Sequence, residues 1–195
     1  TPANASVPAD GTYLCTTGVA SSLTPNFTIT NGVVSSGTSC AGAVVIPAGV
    51  TSIGDSAFQS ATALTSITIP ASVTSIGTSA FRNATALTSI TIPASVTSIG
   101  DYAFANAIAL TSVTFAAGST LTSIGDGAFY VATSLTSITI PAGVTSIGVF
   151  AFALATSLTS ITIPASVTSI GALAFYGPNA LTSITIPASV TSIGT

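Results

Sequence analysis

From Leu64 to Pro70 the chain reads Leu-Thr-Ser-Ile-Thr-Ile-Pro. In an extended strand Ile67 and Ile69 fall on one face, and Ser66 and Thr68 on the other. Pro70 ends the strand, because it has no N–H to give to a ladder. Leu64 precedes the strand and is expected to turn inward. A second group follows, Val73-Thr74-Ser75-Ile76-Gly77. Its pattern puts Val73 and Ile76 inside and Thr74 outside, with Gly77 permitting a tight turn. Between two such groups lies a segment such as Asp55–Ala63, DSAFQSATA. There Ala57 and Phe58 are predicted to point inward on a short helical or 3-10 turn.

The same phrase returns along most of the chain. Units begin at Val50, Val73, Val96, Leu121, Val144, Val167 and Val190, stepping by 23 residues, with one step of 25 where TFAAGSTL replaces TIPASV. A fixed period in the twenties predicts a solenoid in which each unit is one coil. Coils in register place Phe58, Phe81, Phe104, Phe129, Phe152 and Phe175 in one core column. Outside, Ser66, Ser89, Ser112, Ser137, Ser160 and Ser183 form one row, and Thr68, Thr91, Thr114, Thr139, Thr162 and Thr185 the next. Thr65 and its counterparts make a third row, and Thr51, Thr74, Thr97, Thr122, Thr145, Thr168 and Thr191 a fourth.

The phrases LTSITIPASVTSIG and IGDSAF resemble the repeat of the leucine-rich repeat superfamily, specifically the BspA-like (Treponema-type) branch of bacterial and protist surface proteins. The resemblance covers about Ala43 to Thr195. It implies a leucine-rich-repeat solenoid: a right-handed coil of parallel β-strands with short helical or 3-10 turns. Members of that branch typically carry Cys after the Ala-Phe pair. This chain has Ala61, Ala84, Ala107, Ala132 and Ala155 there, then Pro178. It also lacks the Lys and Glu that such proteins usually show on their surface. The resulting division is an N-terminal cap over residues 1–42 and a solenoid over 43–195, with about six full repeats and a partial one.

Residues 1–42 do not follow the period. The stretch FTITNGVV, Phe27–Val34, reads as a hairpin turning at Asn31-Gly32 in type I′ geometry. Cys15 and Cys40 have neither His nor further Cys beside them and read as a disulfide; two buried free thiols are the alternative. A disulfide implies an oxidising compartment. The opening TPANASVPADGT reads as a mature terminus left after removal of a signal peptide, hence an extracellular or cell-surface location. Hairpin and disulfide together make a small β cap for the open edge of the first coil. At the other end VTSIGT is a partial unit. It reads either as a protein that continues or as an end covered by another molecule, the latter allowing head-to-tail stacking.

Charge removes several function classes. Charged residues are 3% of the chain, four acidic and one basic, with no His, against about 25% in an average domain. Ser and Thr hydroxyls must therefore supply solubility. Without a basic patch nucleic acid is not a partner. No apolar run approaches the roughly 18 residues of a membrane helix, so no membrane insertion is expected. Nucleophilic catalysis needs a base beside Ser or Thr, and no His, Lys or Glu exists to be one. Neither an enzyme nor a cofactor is expected.

Asp55, Asp101 and Asp126 recur just after Ile-Gly. The ordinary reading is capping of backbone N–H groups. Stacked carboxylates at Asp101 and Asp126 could hold Ca²⁺ only with more oxygen ligands, and no metal is expected. Arg82 reads as a solvated surface group. Asn4, Asn26 and Asn83 each begin an N-x-S/T triplet and are candidate glycosylation sites.

A site for one specific ligand needs different groups converging. Identical rows instead suit a partner that repeats: ice, a polysaccharide, or another copy of the chain, met head-to-tail or laterally. The function read from the sequence is therefore an extracellular structural or adhesive repeat protein, self-assembling into fibres or layers through its ends or uncharged faces. The alternative is an ice-binding protein whose Ser/Thr ladders offer hydroxyls about 7 Å apart along a strand and about 4.7 Å between coils.

Overall fold

The computed structural model describes residues 6–16, 18 and 25–194. Three strands open it: β1 (Gly11–Leu14), β2 (Asn26–Thr30) and β3 (Val33–Ser36). β1 and β2 are antiparallel, with Gly11 opposite Ile29. β2 and β3 are antiparallel with Thr30 opposite Val33, and the two residues between them, Asn31 and Gly32, have φ of 52° and 76°. A two-residue I′ hairpin needs both central residues left-handed, which is why Asn-Gly serves here. The Cys15–Cys40 disulfide ties this region together.

β3 then pairs in parallel with Ser52–Ile53. From there a ladder of seven strands runs through each Val-Thr-Ser-Ile-Gly group (Leu121 in place of Val once) to Ser192–Ile193, Ser opposite Ser and Ile opposite Ile, and with β1–β3 it makes a ten-stranded sheet. The Leu-Thr-Ser-Ile-Thr groups form separate parallel ladders. Gly42–Val45 pairs with Leu64–Thr68, and Ser89–Ile92, Ser112–Phe115, Ser137–Thr139 and Ser160–Thr162 make a four-stranded sheet. The chain is thus a parallel β-solenoid, one coil per unit. Leu181–Ile186 forms no strand, and Ser183 and Thr185 lie exposed beyond the sheet.

The segments between ladders are not helical or 3-10, contrary to the sequence expectation. The N–H groups of Ser56, Phe58 and Ser60 donate to the carbonyls of Thr78, Ala80 and Arg82 in the next coil, at 2.8, 2.7 and 2.7 Å. The alternate residues Ala57, Gln59 and Ala61 close turns within their own coil, onto Gly54, Ser56 and Phe58. A helix consumes its donors internally, and here half of them point along the stack. Ser56 and Ser60 also have φ of 53° and 58°, and their counterparts in later coils are left-handed too. Single left-handed residues interrupt any right-handed helix.

The glycine after each Ile has a different cause from the tight turn its context suggests. The φ of Gly100 lies outside the left-handed region, but a Cβ on it would sit 2.6 Å from the carbonyl carbon of Gly77 and 2.6 Å from the nitrogen of Thr78. Consecutive coils touch backbone to backbone there, and no side chain fits.

The core runs along the axis. Phe58, Phe81, Phe104, Phe129 and Phe152 are fully buried. Their rings stack nearly parallel, with centroids 5.3, 5.2, 5.3 and 5.3 Å apart. Phe175 extends the column at 5.6 Å and is only partly buried. At the other end Phe27 lies 6.4 Å from Phe58, and Tyr13 stacks 5.8 Å from Phe27. The first strands thus seal the column with aromatic rings that lie outside the repeat.

Candidate binding face

The four hydroxyl rows separate once their hydrogen bonds are traced. In the Val-Thr-Ser-Ile-Gly ladder Thr74, Thr97, Thr122 and Thr145 each donate Oγ1–H to the preceding coil's threonine carbonyl, at 3.2, 3.2, 3.0 and 3.2 Å. Thr168 and Thr191 continue the row, and Thr51 starts it on the carbonyl of Gly32. Thr88, Thr111 and Thr159 do the same one position before the other ladder. These hydroxyls bind coil to coil. The rows at Ser66/Thr68, Ser89/Thr91, Ser112/Thr114, Ser137/Thr139 and Ser160/Thr162 make no side-chain hydrogen bond within the protein. They project outward with donor and acceptor capacity unspent.

That face is not uniform. Ser89–Ile92 matches Ser112–Phe115 at every position, and Ser137–Thr139 matches Ser160–Thr162, but Ser112–Phe115 meets Ser137–Thr139 only at Ser112 opposite Ser137. The interruption lies at the 25-residue step. There Phe115 and Ala116 replace the usual Ile-Pro, and the freed N–H of Ala116 donates to Ile92 at 3.0 Å. Gly118 turns the loop at φ 77°. Thr120 fastens it to the previous coil: its backbone N–H and its Oγ1–H both reach the carbonyl of Ala94, at 2.9 and 2.8 Å. On the opposite side the loop leaves a groove of about 530 Å³, lined among others by Ser112, Thr114, Phe115, Ser119, Ser137 and Thr139.

The turn side carries groups that the repeat pattern did not flag. Tyr102, Gly127 and Phe150 occupy one position in successive coils. A Cβ on Gly127 would lie 2.4 Å from the Tyr102 ring, which leans over it. Tyr102, Tyr130 and Phe150 line a notch of about 240 Å³. Arg82 is exposed, as the sequence suggests, and its guanidinium lies 5.9 Å from the Tyr102 ring centre, within cation–π range. The earlier coils hold Ser56 and Ser79 at this position, so polar gives way to aromatic along the stack. The signal was present in the variable positions after Ile-Gly, and a consensus averages it away.

The aspartates accept backbone N–H groups of the next coil rather than of a helix in their own. Asp55 takes the N–H of Thr78, Asp101 that of Asp126, and Asp126 that of Val149, at 2.7, 2.8 and 2.7 Å. Among the described residues no three His, Cys, Asp or Glu side chains gather as metal ligands. Asn83 donates to Ser60 Oγ at 3.4 Å and accepts from Asn106 at 2.9 Å, and Asn26 begins β2. Asn4 lies outside the described residues. No described helix is long and apolar enough to cross a membrane.

The coils match known proteins closely. The profile of the BspA type leucine rich repeat region matches in six copies, over residues 28–131 and 122–195. A leucine rich cell surface protein from Faecalibacterium prausnitzii is 36% identical over 87% of this chain, with a TM-score of 0.72. The leucine rich repeat protein TpLRR of T. pallidum is 28% identical over 83%, with a TM-score of 0.78, and a leucine-rich repeat protein from Eubacterium ventriosum 26% over 87%, at 0.77. The chain spans 48%, 77% and 46% of these three. Among curated proteins none matches it. With the repeat profile covering nearly all of the coils and the solved structures repeating their stack, the chain belongs to the BspA-type leucine-rich repeat family.

Proposed function

We propose that this chain is a non-catalytic, surface-exposed adhesive module that meets its partner through the Ser–Thr face. The observation that carries the reading is the contrast between rows: the threonine hydroxyls from Thr51 to Thr191, and those of Thr88, Thr111 and Thr159, are spent on neighbouring coils, while the Ser–Thr rows between Ser66 and Thr162 have none of theirs engaged. Short side chains on a fixed scaffold lose little entropy when a partner is bound. The cell-surface description of the Faecalibacterium protein and the Cys15–Cys40 disulfide support an extracellular setting. The absence of His, Lys and Glu supports a role without catalysis.

Contact through neutral hydroxyls is short-ranged and barely screened by salt. The test is retention of the purified chain on insoluble polysaccharides and on mucin-coated surfaces. Retention on at least one surface is expected, unchanged by about 1 M salt, and lost when Thr91 and Thr162 are both replaced by Tyr. No retention, or retention that salt removes, overturns the reading.

Self-association belongs to the same reading in its lateral form, because faces with so few charges repel weakly. Head-to-tail stacking fits less well, since β1–β3 cover the first coil. Ice binding is the alternative that the unspent hydroxyl rows also support. The break between Thr114 and Thr139 weighs against lattice matching, and thermal hysteresis of the purified chain decides it.

A further inference from the structure

We infer that the groove beside the 25-residue coil is where a neutral polysaccharide chain is gripped, by Phe115 and the hydroxyls of Ser112, Thr114, Ser119, Ser137 and Thr139. The inference rests on the adhesive reading and goes further, naming the place and the ligand class. Its volume of about 530 Å³ falls within the range of small-ligand sites, roughly 300–1,000 Å³.

The lining chooses the chemistry. None of the five charged side chains of the protein borders the groove. A phosphate, carboxylate or ammonium ligand would lose water there and gain no counter-charge. A purely apolar ligand would instead strip water from five hydroxyls and leave them unpaired, at about 1–3 kcal/mol for each one buried. A pyranose meets both demands: its hydroxyls both donate and accept, as Ser and Thr do, and its C–H faces need an apolar plane. Phe115 is the aromatic side chain in the groove wall that could supply it. It stands where the neighbouring coils have Ile92 and Ile140, it is only partly buried, and it forms part of the groove wall.

The wall is also fixed in advance. A two-residue insertion in a surface loop is cheap in chain entropy and would be free to wander. This one is held to the previous coil at both ends, by Ala116 on Ile92 and by Thr120 on Ala94. Ser119 Oγ accepts the N–H of Leu121 at 3.3 Å, which orients that hydroxyl as well. A pinned wall facing a regular ladder is the pre-organisation a weak neutral ligand requires.

Isothermal titration calorimetry with maltotetraose, cellotetraose, chitotetraose and, as the charged control, tetragalacturonate tests this. At least one neutral tetraose is expected to bind one-to-one while tetragalacturonate does not. Thr139→Tyr, which fills the groove from an exposed position, and Phe115→Leu, which keeps apolar bulk but removes the ring, should each weaken binding about tenfold or more. Thr185→Tyr, exposed beyond the sheet and outside the groove, should weaken it by no more than about threefold. Gln59→Tyr, on the turn side of another coil, should not change it. Circular dichroism confirms that each variant is folded. Binding of no neutral tetraose, or equal losses at Thr139 and Thr185, overturns the groove. Retention on insoluble surfaces in either case leaves the adhesive reading standing, and loss of both brings down the two together.

Discussion

Gly100→Ala should cost this protein more than Gly118→Ala, although only Gly118 has a left-handed φ. At Gly118, φ is 77° and an added Cβ would meet nothing within 4 Å. The cost there is the backbone term alone, about 1 kcal/mol or slightly more. At Gly100 an added Cβ would stand 2.6 Å from the Gly77 carbonyl carbon, 2.6 Å from the Thr78 nitrogen and 2.9 Å from the Gly77 oxygen. Carbon contacts settle near 3.5–4.0 Å, so the coils must part by about 1 Å where backbone meets backbone. The hydrogen bond from Gly100 N–H to Ile76 O, now 2.8 Å, would then leave the usual 2.7–3.2 Å range. Overpacking at about 1–3 kcal/mol and a lost hydrogen bond at about 1 kcal/mol give roughly 3 kcal/mol. For a chain of 195 residues each kcal/mol moves Tm by about 2–4 °C. Thermal unfolding followed by far-ultraviolet circular dichroism should show a fall of about 6–12 °C for Gly100→Ala and about 3 °C for Gly118→Ala. A Gly118 variant as unstable as the Gly100 variant, or more so, would refute coil spacing as the reason for that glycine.

The phenylalanine column makes a second prediction. Phe81→Leu and Phe104→Leu, whose rings are 5.2 Å apart, should couple by about 0.5–1.5 kcal/mol in a urea double-mutant cycle. Phe81 and Phe152, separated by two rings, should couple by less than about 0.5 kcal/mol, and equal coupling would mean that the column does not act through neighbouring contacts. Replacing Cys15 and Cys40 by Ser opens a crosslink of sequence separation 25 and should cost about 3 kcal/mol. Hydrogen exchange should then quicken in β1–β3 while the amide of Phe104 stays protected; uniform deprotection would show that the crosslink stabilises every coil alike.

The sequence by itself determined the stacking. Once units repeat every 23 residues, like must lie on like, so strand faces, the inward Phe and the outward Ser and Thr follow from a two-residue alternation and a period. Asn31-Gly32 specified its turn locally, because both residues tolerate a left-handed backbone. What the tertiary structure decided lies along the axis, where each group's partner is one coil away rather than a few residues away. The N–H of Phe58 reaches Ala80 instead of its own turn, so a segment with a helical appearance is not a helix. Thr74 spends its hydroxyl on Thr51, whereas Thr91 keeps its own free, although both read alike as outward threonines. Gly100 owes its place to the backbone of Gly77 rather than to its own φ. Two extra residues after Phe115 show in the sequence only as one longer step. They shape a groove only because Ala94 and Ile92, on another coil, hold the loop in place.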